Sequence, residues 1–139
     1  MTIKEIQNEI VDEFSMFDDW MQRYEYIIEL GKSLPLIEEQ YKVDENIIKG
    51  CQSKVWVHGE EQDGKIVFTA DSDAILTKGI IAILIRAFSN QTPAAILDAN
   101  TDFIDEIGLK EHLSPTRANG LVSMIKQIKM YALAFQSKQ

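Results

Sequence analysis

Along the opening stretch, Ile3, Ile6, Ile10, Phe14 and Phe17 recur at intervals of three and four, which puts them on one face of a helix. Thr2 and Glu5 have the spacing of a capping box at its start. A second helix begins at a cap supplied by Asp18 or Asp19, carries Trp20, Tyr24, Ile27 and Ile28 as its apolar stripe, and ends at Gly31 and Pro35. After a polar stretch reaching about Asn46, the period changes from Lys54 onward to two. "KVWVHG" and "KIVFTAD" are β-branched and aromatic, and Asp63-Gly64 between them is a strong signal for a hairpin turn. Trp56 reads as a core residue of the first strand. Residues Asn46 to Lys49 are expected to add a short third strand.

The remainder is helical. "AILTKGIIAILIRAF" (74–88) is the most apolar segment, but it is short for a membrane span and carries Lys78 and Arg86, so a buried helix is expected. Within it, Gly79 suits close packing, and Lys78 is read as reaching out to solvent. Thr92-Pro93 and Ser114-Pro115 each place a capping residue before a proline in the first helical turn, and Thr101 is expected to cap "DFIDEIG". Leu121, Met124, Ile125, Ile128, Ala132 and Phe135 form the stripe of the last helix. The pattern predicts an α+β fold: a small antiparallel sheet of two to three strands packed against helices.

Composition adds bounds. A chain of 139 residues with 45% hydrophobic content and no repeat or long linker is expected to form one domain, residues 1–139. Net charge is −8, and the first 70 residues hold 15 acids against 7 bases, which argues against nucleic acid or an anionic membrane as partner. After Glu111 only bases follow, Arg117, Lys126, Lys129 and Lys138, a basic end that reads as a solvated helix face or as a surface for an acidic partner. The N-terminus mixes charged and apolar residues and lacks a signal-peptide core, so a cytoplasmic location is expected.

The chain has a single cysteine, Cys51, between Gly50 and the polar pair Gln52 and Ser53. A free cysteine often serves as a small inert core residue. These neighbours do not help to fill a core, however, and Gly50 permits a positive φ and consecutive loop N–H groups that favour a thiolate. From the residues alone both readings stay open. One thiol and two histidines fall short of the ligand set for a metal or iron–sulfur cluster, so neither metal nor other cofactor is expected. A dithiol redox enzyme lacks its resolving cysteine. A Cys-His hydrolase would need His58 or His112 as base; seven extended residues separate His58 from Cys51, roughly 23 Å. A non-catalytic partner-binding module with an inert cysteine is the other alternative.

"GCQSKVW" (50–56), "ADSDA" (70–74), "KG" (78–79) and "HLSPTRANGL" (112–121), with "YIIELGK" (26–32), occur in the order and approximate spacing of SufE-type sulfur acceptor proteins. The chain resembles that family over nearly its whole length. The segment before Cys51 lacks the proline common there, and Thr116 stands where serine is usual. The resemblance implies a fold similar to that of IscU-type scaffolds. It also implies that Cys51 takes persulfide sulfur from a SufS-type cysteine desulfurase, stimulates that enzyme, and delivers the sulfur to a SufBCD-type scaffold complex for iron–sulfur cluster assembly. Gly50, Gln52 and Ser53 would support the loop. Asp71, Ser72 and Asp73 either cap the following helix or hold the Cys51 loop; His112 is read as a structural hydrogen-bonding residue. Arg117 either raises the potential near the thiolate, contacts the partner, or forms a surface ion pair. Ile47, Ile48, Val55 and Trp56 are expected to shelter the sulfur. The oligomeric state stays open between a monomer and a weak homodimer.

Overall fold

The computed structural model describes residues 1–51 and 53–138. Its elements follow the order α1 (Ile3–Phe14), α2 (Trp20–Gly31), β1 (Val55–Gln62), β2 (Lys65–Ser72), α3 (Ile75–Phe88), α4 (Pro93–Asp98), α5 (Asp102–Glu106), α6 (Leu109–His112) and α7 (Pro115–Gln136). Two short 3₁₀ turns, Glu39–Tyr41 and Asp44–Asn46, interrupt the segment between α2 and β1.

The helix starts follow from local chemistry. Thr2 and Glu5 close the expected capping box, with each side chain bonded to the other's backbone N–H. Asp19 rather than Asp18 caps α2, accepting from Gln22 N at 2.8 Å. Thr92 and Ser114 cap α4 and α7 ahead of their prolines. Thr101 does not use its side chain to cap α5; instead Asn100 Oδ1 accepts from Asp102 N at 3.1 Å.

The sheet consists of the hairpin β1–β2, paired antiparallel from Val55↔Ser72 to Gln62↔Lys65. Asp63 and Gly64 both have positive φ, 54° and 82°, as a two-residue turn matched to strand twist requires. The expected third strand is reduced to a bridge: Ile47 pairs with Trp56, Ile48 N donates to Val55 O at 2.8 Å, and then Gly50, at φ 90°, turns the chain away. Alternation puts Val55, Val57, Ile66, Phe68 and Ala70 in the core. It therefore puts Trp56 on the opposite face, half-buried beneath Lys42, whose Nζ lies 5.4 Å from the ring centroid. The expectation of a core Trp56 is corrected by this period of two.

Helix α3 is buried almost all round and forms the centre of the core, with Ile80, Ile81, Ile83, Leu84 and Ile85 each at most 2% exposed. Removing each such side chain from water is worth about 1.5–3 kcal/mol. Helix α2 crosses α3 at Gly31 and Gly79, so closely that a Cβ on Gly79 would stand 2.1 Å from the Ile27 carbonyl oxygen. The apolar stripe of α7 buries Leu121, Met124, Ile128 and Ala132, and Tyr131 ties this helix to β1 by donating to the Val57 carbonyl at 3.1 Å. Among the described residues, no helix is long and apolar enough to cross a membrane.

Candidate functional site

Cys51 stands at the end of the segment that leaves the Ile47–Trp56 bridge, before the chain enters β1. Its approach is fixed by the bridge, and its exit by β2. Ser72 Oγ donates to Lys54 O at 2.9 Å, Asp73 N donates to the same carbonyl at 3.2 Å, and Lys54 N donates to Asp73 Oδ1 at 3.1 Å. Of the two roles open to the Asp71–Asp73 segment, the anchoring one is therefore made by Ser72 and Asp73. Helix α3 has Ala74 at its cap position, with no side-chain cap. Asp71 does something else: it pairs with Lys42 at 2.7 Å and Lys78 at 3.4 Å. Burial pushes its carboxyl up, but the two ammonium groups and the Ser72 N–H outweigh that and hold it below the usual range. Lys78 thus ends in an ion pair rather than free in solvent.

The Cys51 sulfur is half-buried. It faces a cavity of about 10 Å³ whose other walls are Ser53, Thr77, Ile80, Arg117, Gly120 and Met124. That volume suits a single atom the size of a water oxygen. The thiol points at the Gly120 carbonyl, 3.8 Å away. Burial pushes the thiol pKa above its ordinary value, so the closed position favours the neutral form. Two glycines permit this arrangement. Gly50 takes a φ of 90°, where a Cβ would also come 3.1 Å from Ser123 Oγ; a Cβ on Gly120 would come 3.0 Å from Cys51 Sγ.

Apart from Ser53, the shelter therefore comes from α3 and α7, distant in sequence, and none of Ile47, Ile48, Val55 and Trp56 lines the cavity. Ile48 and Val55 are committed to the main core, and Trp56 lies on the outer face. Of the three roles open to Arg117, the surface ion pair is not found among the described residues, and the residue is one of those that line the cavity. Gly50 and Ser53 flank the sulfur, whereas Gln52 lies outside the described residues. Neither histidine lines the cavity. His112 Nδ1 donates to the Gly108 carbonyl at 2.9 Å and its ring stacks on Trp20, and His58 stacks on Tyr41 beside Glu60. Thr77, Ile80, Gly120 and Met124 are site residues that the linear pattern did not single out. Gly120 lies within the "HLSPTRANGL" motif, as a glycine inside a helix with no turn to explain it, which is the signal that could have found it.

Among the described residues, no group of three or more His, Cys, Asp and Glu side chains is arranged to hold a metal ion. What the site offers is one thiol, a guanidinium, a threonine hydroxyl, and room for about one more atom beside the sulfur.

The model of a family described as "Fe-S metabolism associated domain", SufE, matches residues 8–132. An uncharacterised SufE-like protein of Rhizobium meliloti is 43% identical over 131 residues, covering 90% of this chain and 93% of the relative. One from Synechocystis is 38% identical, over 94% of this chain and 82% of the relative. The SufE-like protein 1, chloroplastic/mitochondrial, of Arabidopsis thaliana is 37% identical over 94% of this chain and 35% of its own length. The fold is matched by the solution structure of a hypothetical protein from Thermus thermophilus, with a TM-score of 0.79 at 19% identity, over 95% of this chain and 96% of that one.

Proposed function

The chain belongs to the SufE family, and on that premise we propose that Cys51 is a sulfur carrier serving iron–sulfur cluster assembly. A SufS-type cysteine desulfurase presents a persulfide on its own cysteine. The Cys51 thiolate attacks the outer sulfur, a new S–S bond forms at Cys51, the old one breaks, and the desulfurase thiolate leaves. Electrons balance without an oxidant. Removing the sulfur frees the desulfurase for another turnover, and delivery to a SufBCD-type scaffold complex completes the relay. Residues 1–139 act as one domain, in the cytoplasm.

The observation that carries this reading is the one-atom cavity beside the only thiol of the chain. A persulfide adds one heavy atom to the cysteine and is more easily oxidised than a thiol, so a carrier gains from a place to keep that atom out of solvent. The same burial disfavours the thiolate, so acceptance requires the loop to swing outward on the partner. A Cys-His hydrolase finds no base here, since both histidines are engaged elsewhere.

The test is sulfur transfer itself. After incubation with the cognate desulfurase and free cysteine, mass spectrometry should find one added sulfur atom on Cys51, removable by a thiol reductant. Cys51→Ser should fold, accept nothing, and leave the desulfurase unstimulated. Full stimulation by that variant would overturn the reading.

A further inference from the structure

Helix α3 is apolar on nearly every side, and Thr77 interrupts that pattern while being only 5% exposed. The core contains one other buried polar side chain among the described residues, Gln7, and that one donates through Nε2 to the Asn100 carbonyl at 2.9 Å. Thr77 is different. Among the described residues its hydroxyl makes no hydrogen bond to protein, not even back to the helix carbonyl one turn earlier, and Thr77 is one of the residues that line the cavity beside Cys51. Among the described residues the fully enclosed polar atom without a partner is Trp20 Nε1 and not the Thr77 hydroxyl, which therefore keeps open space beside it; valine would fill the same volume without a donor. The remaining walls of this pocket are apolar or backbone, apart from Ser53 and Arg117.

Resting on the reading of Cys51 as a persulfide carrier, we propose that Thr77 is a positioning residue for the cargo: its hydroxyl donates a hydrogen bond to the terminal sulfur of the Cys51 persulfide and holds that atom in the cavity. The size of the cavity and the placement of the hydroxyl act together. The space admits one added atom, and a persulfide carries its negative charge on that atom, where a hydroxyl donor is worth most. In the unloaded protein the thiol is directed to the Gly120 carbonyl, so Thr77 has no task until sulfur arrives. The Thr77 hydroxyl thereby favours the loaded closed state over the unloaded one.

The experiment uses the full chain loaded with inorganic polysulfide, so that no desulfurase is needed. The rate at which a thiol reductant releases sulfide from Cys51 is compared with the rate at which the unloaded thiol is alkylated. Thr77→Val should lose its sulfur roughly tenfold faster than the unsubstituted chain, as expected for loss of a hydrogen bond to a charged group. Thr77→Ser, which keeps the hydroxyl, should stay within about twofold, and alkylation of the unloaded thiol should be alike in all three. Should Thr77→Val fail to fold, Thr77→Ala against Thr77→Ser provides the same comparison. Equal sulfur loss with and without the hydroxyl overturns the proposal, as does a matching rise in alkylation of the unloaded thiol, which would mean a loosened loop. Failure of the carrier reading would appear separately, as failure of the desulfurase to load the unsubstituted chain.

Discussion

Gly120 and Cys51 are in mutual contact across the site: the sulfur sits 3.0 Å from the point where a Cβ on Gly120 would be, and the Gly120 carbonyl faces the thiol at 3.8 Å. A methyl group there must displace the sulfur. Gly120→Ala should therefore weaken the closed position by about 1 kcal/mol, the low end for overpacking, and speed alkylation of Cys51 roughly fivefold. Alkylation kinetics followed by mass spectrometry would measure this, and an unchanged rate would show that the neighbouring helix yields instead.

The second prediction concerns pH. Burial raises the pKa of the Cys51 thiol, so the thiolate fraction at neutral pH is below that of a free cysteine. Alkylation of the isolated protein should rise with pH to a midpoint above the ordinary thiol value. A midpoint below that value would place the thiolate, not the thiol, in the cavity.

Legibility of the fold and of the site differed for a physical reason. Caps, turn chemistry and periodicity are local, and Thr2, Asp19, Thr92, Ser114 and the Asp63-Gly64 turn all act as their neighbours in sequence imply. Thr101 departs because Asn100, one residue earlier, supplies the oxygen. The third strand shrinks to a bridge because the positive φ of Gly50 bends the chain out of line with β1 before more pairs can form. Cys51 is conspicuous by its polar neighbours and by its motif. The walls around it are not, since Thr77 and Met124 come from helices that meet only in the folded chain, and nothing in the local sequence distinguishes a wall from a core position.

The crossing of α2 and α3 gives a third prediction. With the Ile27 carbonyl oxygen 2.1 Å from the position a Cβ on Gly79 would occupy, no side-chain rotation relieves the clash, because the carbonyl belongs to the backbone and a Cβ is fixed by it. Gly79→Ala should cost at least about 3 kcal/mol. Denaturant titration of the variant should show a lower midpoint or no folded baseline at all; a loss under about 1 kcal/mol would mean that the two helices separate easily.

A fourth prediction comes from Glu13, which accepts from both terminal nitrogens of Arg86 and from the Tyr26 hydroxyl. The Arg86 hydrogen bonds hold the Glu13 carboxyl below its usual range, against the opposing effect of burial. Burial, aided by Glu13, pushes Tyr26 up to about 12, so that phenol remains a donor at every working pH. A depressed carboxyl pKa contributes stability above the unfolded value, near 4.5, and loses it as pH falls through the lower folded value. Glu13→Gln should thus be less stable than the unsubstituted chain by about 1 kcal/mol at neutral pH, after allowance for partial exposure, with the gap closing as pH drops below 4.5. Denaturant midpoints across that range would check it, and a gap that stays constant down to low pH would remove the carboxylate from the account.

The anchors on either side of Cys51 also set the length of a leash. Ile48 is held to Val55 and Lys54 to Ser72 and Asp73, so the two fixed points on either side of Cys51 are Ile48 and Lys54. Six Cα–Cα steps extended span roughly 20 Å, and a loop that must go out and return can carry its tip only about half as far, some 10 Å. A carrier on so short a leash cannot probe a deep cleft from a distance. On the proposed reading it must seat its whole face against the donor, and again against the receiver, so the contour of the surface around the loop would decide which proteins exchange sulfur with it.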